Sequence, residues 1–313
     1  MSRIHEALKK AEQERGGTVQ VETAALPNGP VKAEPSREYR ASAGAANAPS
    51  RTSAIAAPAA NSLQFDDLVS RCAHPHWHPD PNENVFLNPD LSSHAAEQFR
   101  TLRSRLYQLG SHQHLRTMLI TSSIPAEGKT FMANNLAQAI AQQPDCHVLM
   151  IDADLRCSRL HVPLGAPSSP GLTDYLRGEA DEIAIIQHGQ EGNLCFIPGG
   201  REVTDASELL SNGRLKMLLD SVTPAFDWVI IDSPPILPVA DSIGLADLCE
   251  GVLLVVRSGS TPTAAAQRTC QELQKKNVVG VVLNAVSEEH TYSSYYGHYG
   301  YTRESKSAKD SRK

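Results

Sequence analysis

The fold is decided by residues 121–130, which read TSSIPAEGKT and join the apolar run TMLI to the helix-forming segment FMANNLA. A strand, a short loop ending in Gly-Lys-Thr and then a helix is the context that a phosphate-binding loop requires. In such loops Gly128 would let the backbone approach the phosphates, Lys129 would reach the β- and γ-phosphates, and the Thr130 hydroxyl would bind Mg²⁺. The stretch therefore predicts a nucleotide site.

The loop departs from the pattern G-x-x-x-x-G-K-[ST] at one position. Ser123 stands where the first glycine of that pattern belongs. On the loop alone, a chance Gly-Lys-Thr at the start of a helix is the alternative, so the interpretation depends on what accompanies it.

Two downstream stretches support the nucleotide site. Residues 148–156 read VLMIDADLR and residues 228–235 read WVIIDSPP, so each apolar run ends in carboxylates. Buried parallel strands appear as continuous apolar runs, and ligands bind at their carboxyl ends. A lone aspartate after a strand is usually a helix cap or a turn residue. Asp152, Asp154 and Asp232 beside a phosphate loop are better explained as the acidic shell of a nucleotide-bound Mg²⁺.

Together, the segments PAEGKT, IDADLR and IDSPP resemble the Walker A, Walker A′ and Walker B motifs of bacterial tyrosine kinases, the CpsD/CapB family. The resemblance covers about residues 86–301, with shorter matches in GLTDYL (171–176), SELLS (207–211) and VAD (239–241). Ala126 replaces a glycine that is usual in the family. The resemblance implies a P-loop enzyme that uses ATP and Mg²⁺ to autophosphorylate a C-terminal tyrosine cluster.

Site residues follow from the motifs and the resemblance. Asp152 or Asp154 is the candidate base for the tyrosine hydroxyl, and the sequence leaves that choice open. Arg156 would position the phosphate or the acceptor, and Mg²⁺ would be held by Thr130, Asp152, Asp154 and Asp232, directly or through water. The expected catalytic residues are Lys129, Asp152, Asp154 and Arg156.

We expect the nucleotide to contact the loop, the start of the following helix and one residue near the end of the domain. Asn284 ends the last apolar run, where P-loop proteins of this kind commonly place an amide that reads the adenine edge. A turn or helix cap is the alternative for this residue. The expected nucleotide-binding residues are Ala126, Glu127, Gly128, Lys129, Thr130, Phe131 and Asn284.

The last stretch of the chain holds five of its eight tyrosines in a polar setting of Ser, Gly and His. Tyrosines that pack in a core would alternate with apolar residues at a strand or helix period, and these do not. Beside an ATP site, a cluster of phosphate acceptors fits better than an adhesive tail. The expected acceptors are Tyr292, Tyr295, Tyr296, Tyr299 and Tyr301.

A helix is predicted around residues 95–106, where Phe99, Leu102 and Leu106 form an apolar stripe. Glu97, Arg100 and Arg103 recur at every third position on another face. They are similar to the E-x-x-R-x-x-R motif through which kinases of the family pack into closed rings, and we expect an oligomer interface here. From spacing alone, an exposed helix with a weak ion pair is the alternative.

Composition limits the classes of partner. The formal net charge of −6 leaves no basic footprint, so we do not expect nucleic acid to bind. The six cysteines contain no C-x-x-C pair, which is typical of reduced thiols in a cytosolic protein. The sequence has neither a signal-peptide core nor about 18 consecutive apolar residues. We therefore expect a soluble, cytoplasmic protein that is recruited to the inner face of the membrane through a partner.

The segment CAHPHWHPD (72–80) contains a cysteine and alternating histidines, which are possible zinc ligands. Its spacing matches none of the usual structural zinc patterns, and its two prolines favour an extended chain. We favour an extended segment that lies on the kinase domain with Trp77 as its anchor, and metal binding is the alternative.

From residue 117 onward, apolar runs alternate with helical segments, which predicts an α/β fold with a doubly wound, mainly parallel sheet of the P-loop NTPase type. The runs are 118–120, 148–151, 194–197, 229–231, 252–256 and 279–283.

The expected organisation has five parts. A short N-terminal helix (1–17) serves as a docking peptide, with a frayed charged terminus as the alternative. A disordered linker (18–64), rich in Ala, Pro and Ser, has too few large apolar residues for a core. An extended segment (65–94) packs on the P-loop kinase domain (95–288), and a tyrosine-rich tail (289–313) follows.

The resemblance also implies a setting. The kinase would phosphorylate the tail of a neighbouring subunit in a ring and regulate the synthesis and export of capsular or extracellular polysaccharide. Its partners would be a membrane-embedded chain-length co-polymerase, as activator, and a protein-tyrosine phosphatase. One rival is a membrane-cycling or partitioning ATPase, whose signature lysine would stand about where Ile124 is found. The other is a non-catalytic, nucleotide-gated scaffold.

Overall fold

The computed structural model describes residues 64–88, 94–111, 113, 115–189 and 192–286. Within them lies a seven-stranded sheet in the order β3-β4-β2-β5-β1-β6-β7, parallel except for the antiparallel pair β3–β4 at one edge. The strands are β1 (Thr117–Ser122), β2 (Val148–Asp152), β3 (Gln187–His188), β4 (Leu194–Ile197), β5 (Trp228–Asp232), β6 (Gly251–Arg257) and β7 (Val278–Asn284).

The six predicted apolar runs are all strands, and the predicted α/β fold with a mainly parallel sheet is confirmed. β3 was not predicted, because two polar residues carry no periodic signal and pair with β4 only through tertiary contact.

The side chains of β5 show why the apolar runs are continuous. Val229 and Ile231 belong to the core on one face of the sheet, whereas Trp228 and Ile230 belong to the core on the other. A sheet that is covered on both faces needs apolar side chains at every position.

Helices cover both faces of this sheet. α2 lies against α3, as its predicted stripe requires: Phe99 and Leu106 are buried, and Leu102 is partly buried against the same core. The helices are α1 (Phe65–Arg71), α2 (His94–Gly110), α3 (Lys129–Ala141), α4 (His161–Leu164), α5 (Leu172–Leu176), α6 (Ala206–Ser211), α7 (Arg214–Val222), α8 (Asp241–Leu248) and α9 (Thr263–Glu272).

The sequence predicted an extended segment at 65–94, but the structure shows that only part of it is extended. Its first seven residues form α1, where Asp66 and Asp67 occupy the first turn and interact favourably with the helix dipole. Leu68 is fully buried in the core of the sheet, and Phe65 stacks on His147 with ring centroids 3.7 Å apart. The helix was missed because so short a segment has little periodicity and is stable only when docked.

Residues 72–80 then run along the sheet edge in extended form. Ala73 makes a parallel bridge with Gln187, and its carbonyl accepts a 2.8 Å hydrogen bond from the His188 amide. Trp77 packs edge-on against Phe196 with ring centroids 6.3 Å apart. The His74 ring nitrogen donates to the Val69 carbonyl at 2.8 Å. Across the described ranges, no three His, Cys, Asp or Glu side chains are grouped to hold a metal ion.

The polar face of α3 binds the turn that precedes α2. Asn135 accepts a hydrogen bond from the Val85 amide at 2.8 Å and donates to the Glu83 carbonyl at 3.0 Å. Asn134 also donates to Glu83, at 3.2 Å. These two asparagines are fully buried, and their amides satisfy the backbone of a segment that has no strand or helix of its own.

Candidate active site

The phosphate loop lies between β1 and α3, with Lys129 as the first helical residue. Gly128 has φ of +93°, a left-handed conformation that glycine adopts without steric cost. Ala126, where the family has glycine, is also left-handed, with φ of +65°. For a residue with a Cβ this conformation costs on the order of 1 kcal/mol or more, so neighbouring groups must hold the loop in place.

Lys129 faces the acidic ends of the strands. Its ammonium lies 2.8 Å from Asp154 Oδ2 and 3.6 Å from Asp232 Oδ2. Burial disfavours the charged form, but the attraction of Asp232 and Asp154 outweighs it and raises the pKa of Lys129. The lysine is therefore a fixed positive charge at the carboxyl edge of the sheet.

Thr130 and Asp232 form the neighbouring contact. The Thr130 hydroxyl donates to Asp232 Oδ2 at 2.7 Å. The other carboxylate oxygen, Asp232 Oδ1, is buried without a hydrogen-bond partner. Burial raises the pKa of Asp232, and repulsion from Asp154 adds to this, whereas Lys129 opposes it. A buried anionic oxygen with no partner beside a hydroxyl is a donor set suited to a hard cation such as Mg²⁺.

Asp152 is bound by its own loop. Its Oδ2 accepts hydrogen bonds from the Ser158 hydroxyl at 2.8 Å and the Leu160 amide at 3.0 Å, and its Oδ1 accepts one from the Asp154 amide at 3.2 Å. Burial and the charge of Asp232 raise the pKa of Asp152 to about 7. Asp152 therefore shapes the loop that carries Asp154.

Arg156 is held by two residues of other elements. Its Nε donates to Asp241 Oδ2 at 2.8 Å, and its terminal nitrogen donates to the Ser207 hydroxyl at 2.8 Å. The hydrogen bond to Asp241 raises the pKa of Arg156 further. Ser207 and Asp241 come from the shorter motif matches SELLS and VAD, so the structure joins three separate motifs in one network.

The other predicted nucleotide residues lie on or beside the loop. Asn284, the last residue of β7, donates from its amide to the Glu127 carbonyl at 2.9 Å. Phe131, on the first turn of α3, packs against Phe99 of α2 with ring centroids 6.1 Å apart. Glu127 is 2% exposed.

Sequence reasoning did not anticipate Thr261 or Ser158, whose hydroxyls bind Glu127 and Asp152. Both residues lie in polar loops after strands, and one further hydroxyl among several gives no distinguishing signal.

The proposed interface residues of α2 are engaged unequally. Arg103 donates to the carbonyl of Ala139, near the end of α3, at 2.5 Å. Arg100 contacts Glu97 at 3.5 Å, and its guanidinium lies 5.9 Å from the centroid of the Phe86 ring. Arg103 thus joins two helices of one subunit, whereas Arg100 and Glu97 remain largely on the surface.

Several predicted features lie outside the described residues. These are the N-terminal helix (1–17), the linker except for its last residue (18–64), and the proposed acceptors Tyr292, Tyr295, Tyr296, Tyr299 and Tyr301. Within the described parts of the chain, no helix combines the length and the apolar character needed to cross a membrane.

The fold and these contacts define a P-loop nucleotide-binding protein, and comparisons with known proteins agree. Residues 125–276 match the family model described as an AAA domain. The chain is 34% identical over 219 residues to tyrosine-protein kinase YwqD of Bacillus subtilis (strain 168), covering 69% of this chain and 91% of that protein.

Two further comparisons concern longer proteins. Tyrosine-protein kinase ptk of Acinetobacter johnsonii is 34% identical over 194 residues, which cover 61% of this chain but only 26% of that protein. The solved kinase domain of Escherichia coli tyrosine kinase ETK superposes with a TM-score of 0.62 at 33% identity, covering 65% of this chain and 80% of that one. The present chain thus corresponds to about a quarter of the length of some relatives.

The chain belongs to the bacterial tyrosine-protein kinase family. It is a tyrosine kinase with a nucleotide-binding P-loop domain, as the motifs predicted. This family membership argues against the two alternatives, which were a membrane-cycling or partitioning ATPase and a non-catalytic scaffold.

Proposed function

We propose that this kinase transfers the γ-phosphoryl group of ATP to tyrosines of its own C-terminal cluster, chiefly on a neighbouring subunit. The observation that carries the proposal is the position of Lys129, 2.8 Å from Asp154 and 3.6 Å from Asp232, at the end of a phosphate loop. A largely buried positive charge beside two carboxylates supports binding of the triphosphate and the acceptor at this point.

The loop would hold the β- and γ-phosphates through its backbone amides and Lys129. Thr130 and Asp232 would hold Mg²⁺, and Asp154 and Asp152 would act through bound water, because the described residues contain no group of three His, Cys, Asp or Glu side chains placed to bind a metal directly. The unpartnered Asp232 oxygen and the Thr130 hydroxyl support this donor set. When bound, Mg²⁺ supplies positive charge against the phosphate oxygens.

Transfer requires the tyrosine oxygen to attack the γ-phosphorus as the bond to the bridging oxygen breaks and ADP leaves. The phenolic proton would pass to Asp154 or Asp152. One argument supports Asp154 as the base. Phosphate oxygens would compete with it for Lys129, and its carboxylate would then be able to accept a proton. The argument for Asp152 is that its pKa is raised to about 7, near the pH at which a general base works best. Arg156 would position the phosphate or the acceptor.

The acceptor tyrosines follow the catalytic domain in sequence, and the Glu97-Arg100-Arg103 face would bring a neighbour's tail to the active site in a ring. Under this proposal the chain has a docking helix (1–17), a linker (18–64), a segment on the kinase domain (65–94), the kinase domain (95–288) and the tail (289–313). A membrane polysaccharide co-polymerase would recruit and activate the kinase at the inner face of the membrane. A phosphatase would reverse the modification, and capsule or exopolysaccharide export would be the regulated pathway.

The test is incubation of the purified protein with γ-labelled ATP and Mg²⁺, followed by mapping of phosphotyrosine. We expect label on the tail cluster, and loss of that label when all five tail tyrosines are replaced by phenylalanine. A mixture of a Lys129→Met chain with an intact tail and a wild-type chain lacking the tail separates transfer between subunits from transfer within one. Label confined to tyrosines outside the tail would contradict the proposed acceptor, and ATP hydrolysis without phosphotyrosine would contradict the kinase reaction itself.

A further inference from the structure

The ends of β6 and β7 send three side chains into the phosphate loop. They are Arg257, the last residue of β6, Thr261, four residues later, and Asn284, the last residue of β7. Each donates a hydrogen bond to one of two loop residues, Ala126 or Glu127, which lie more than 130 positions earlier in the sequence. The contacts therefore belong to the tertiary fold and not to the loop itself.

Glu127 is the centre of these contacts. Its Oε1 accepts a hydrogen bond from the Thr261 hydroxyl, and its Oε2 accepts one from the Ile124 amide at 2.8 Å. The Thr261 hydroxyl in turn accepts the Arg257 amide at 3.0 Å. Both carboxylate oxygens thus have donors, as a buried carboxylate requires. The side chain is directed into the protein and not toward a ligand.

Asn284 is engaged at both ends of its amide. The nitrogen donates to the Glu127 carbonyl at 2.9 Å, and the oxygen accepts the Ala285 amide at 2.9 Å. A Cβ at Gly128 would collide with the Asn284 amide nitrogen. Glycine is therefore needed at this position for its positive φ and also for the close approach of Asn284.

Ala126 explains why such contacts are useful. It adopts φ of +65° in spite of its Cβ, and its carbonyl accepts a 3.1 Å hydrogen bond from the Arg257 guanidinium. A loop with an unfavourable conformation at Ala126, and with Ser123 in the place of the first glycine, does not hold its shape by local preference alone.

We propose that Glu127, Thr261 and Asn284 form a brace that holds the phosphate loop in the geometry that receives the triphosphate. The brace acts through the loop backbone, so these are positioning residues and not nucleotide contacts. This gives Glu127 and Asn284 roles different from those expected of them in direct nucleotide binding. The proposal rests on the proposed binding of the ATP phosphates by this loop.

The test uses Thr261→Val, which keeps the shape of the side chain but removes the hydroxyl, and Thr261→Ser as the control that retains it. If the loop then adopts the receptive geometry a tenth as often, the Kd for ATP rises about tenfold. The KM for ATP should rise with it, while kcat at saturating ATP stays near the wild-type value because the bound complex is the same. A residue needed only for folding would lower the melting temperature without this division between KM and kcat.

Asn284→Asp separates the brace from recognition of adenine. The substitution keeps the size and the oxygen that accepts from Ala285, but places an oxygen against the Glu127 carbonyl. Binding is measured with ATP and with inorganic triphosphate, which has no base. The brace predicts that affinity falls by the same factor for both ligands, roughly tenfold. Weakened binding of ATP alone would assign Asn284 to the adenine edge and overturn its part in the brace.

The outcomes remain distinguishable from failure of the proposed function. Wild-type protein that binds neither ATP nor triphosphate would refute the nucleotide loop, and the brace with it. Wild-type binding that Thr261→Val leaves unchanged would refute the brace alone. Global unfolding of Thr261→Val, seen by circular dichroism when Thr261→Ser stays folded, would also overturn it, because the hydroxyl would then support the whole fold.

Discussion

The two sides of the phosphate loop differ in how completely their polar groups are satisfied within the chain. On the side of β2 and β5, one oxygen of Asp232 is buried without a partner, and burial raises the pKa of Asp152 to about 7. On the side of β6 and β7, both oxygens of Glu127 accept hydrogen bonds, and the Asn284 amide is bonded through its nitrogen and its oxygen.

This difference indicates a division of labour. Buried polar groups are normally paired, and a group that the chain leaves without a partner is a candidate for a ligand contact. The side of β2 and β5, here called the acidic side because it carries Asp152, Asp154 and Asp232, is thus suited to bind and react, whereas the side of β6 and β7 is suited to hold the loop. The following predictions test this division, beginning with the largest expected effect.

Lys129→Met should remove nearly all phosphotyrosine, because it deletes the positive charge on the acidic side. Loss of such a group costs roughly 100- to 1,000-fold in rate. Initial rates of label incorporation give the measurement. Lys275→Met, on the exposed surface after α9, is the matched control and should transfer at the wild-type rate. Retained autophosphorylation in Lys129→Met would reject the loop assignment.

Asp152→Asn and Asp154→Asn should each lower transfer, by about 100-fold for the residue that acts as the base. Asp154→Asn breaks the ion pair with Lys129. Asp152→Asn keeps only one acceptor oxygen, so it leaves either the Asp154 amide or both the Ser158 and Leu160 donors without an acceptor. Transfer rate and ATP affinity are measured for both. The variant that loses rate but retains affinity identifies the base, and full activity in both would mean that the acidic side is not the reactive one.

The same comparison applies to two arginines of α2. Arg100 makes a weak contact with Glu97 at 3.5 Å and lies 5.9 Å from the centroid of the Phe86 ring. If it forms the proposed interface, Arg100→Ala should leave a folded protein that no longer assembles and whose tail phosphorylation falls about fivefold. Arg103 is bound to the Ala139 carbonyl, so Arg103→Ala should lower the free energy of unfolding by about 1 to 2 kcal/mol. Light scattering and denaturant titration measure the two quantities. An unchanged mass in Arg100→Ala would make this helix an ordinary exposed one.

The last prediction concerns pH. Because the pKa of Asp152 is raised from 3.8 to about 7, the folded protein retains a proton that the unfolded chain has released between those values. The free energy of unfolding should therefore fall as pH rises through this window, by up to about 1.4 kcal/mol per pH unit, and level off above pH ~7. Denaturant titrations in a chelating buffer at pH 5 and pH 8 measure it.

Asp152→Asn should flatten this decline, because asparagine does not titrate. Asp220→Asn, an exposed carboxylate of α7, is the control and should keep the wild-type pH dependence. A decline of equal size in Asp152→Asn and wild type would assign the titration to another group.

The sequence by itself determined the strand–loop–helix unit around Lys129, the parallel sheet and the convergence of Asp152, Asp154 and Asp232 on one edge. These follow from local properties: apolar runs specify buried strands, and parallel strands bring their carboxyl ends together. The prediction of a tyrosine kinase came in addition from the resemblance of these motifs to the Walker motifs of the family, and the relatives confirm it.

Only the tertiary structure decided the partners of those residues. Thr261 reaches Glu127 across 134 positions, and Arg103 reaches Ala139 across 36. Docking on the sheet stabilises α1 and β3, which are too short to be predicted from periodicity. Which oxygen of a buried carboxylate keeps a donor depends on the geometry of the whole fold, because hydrogen bonds need donor and acceptor within about 3 Å, and sequence order does not encode that distance.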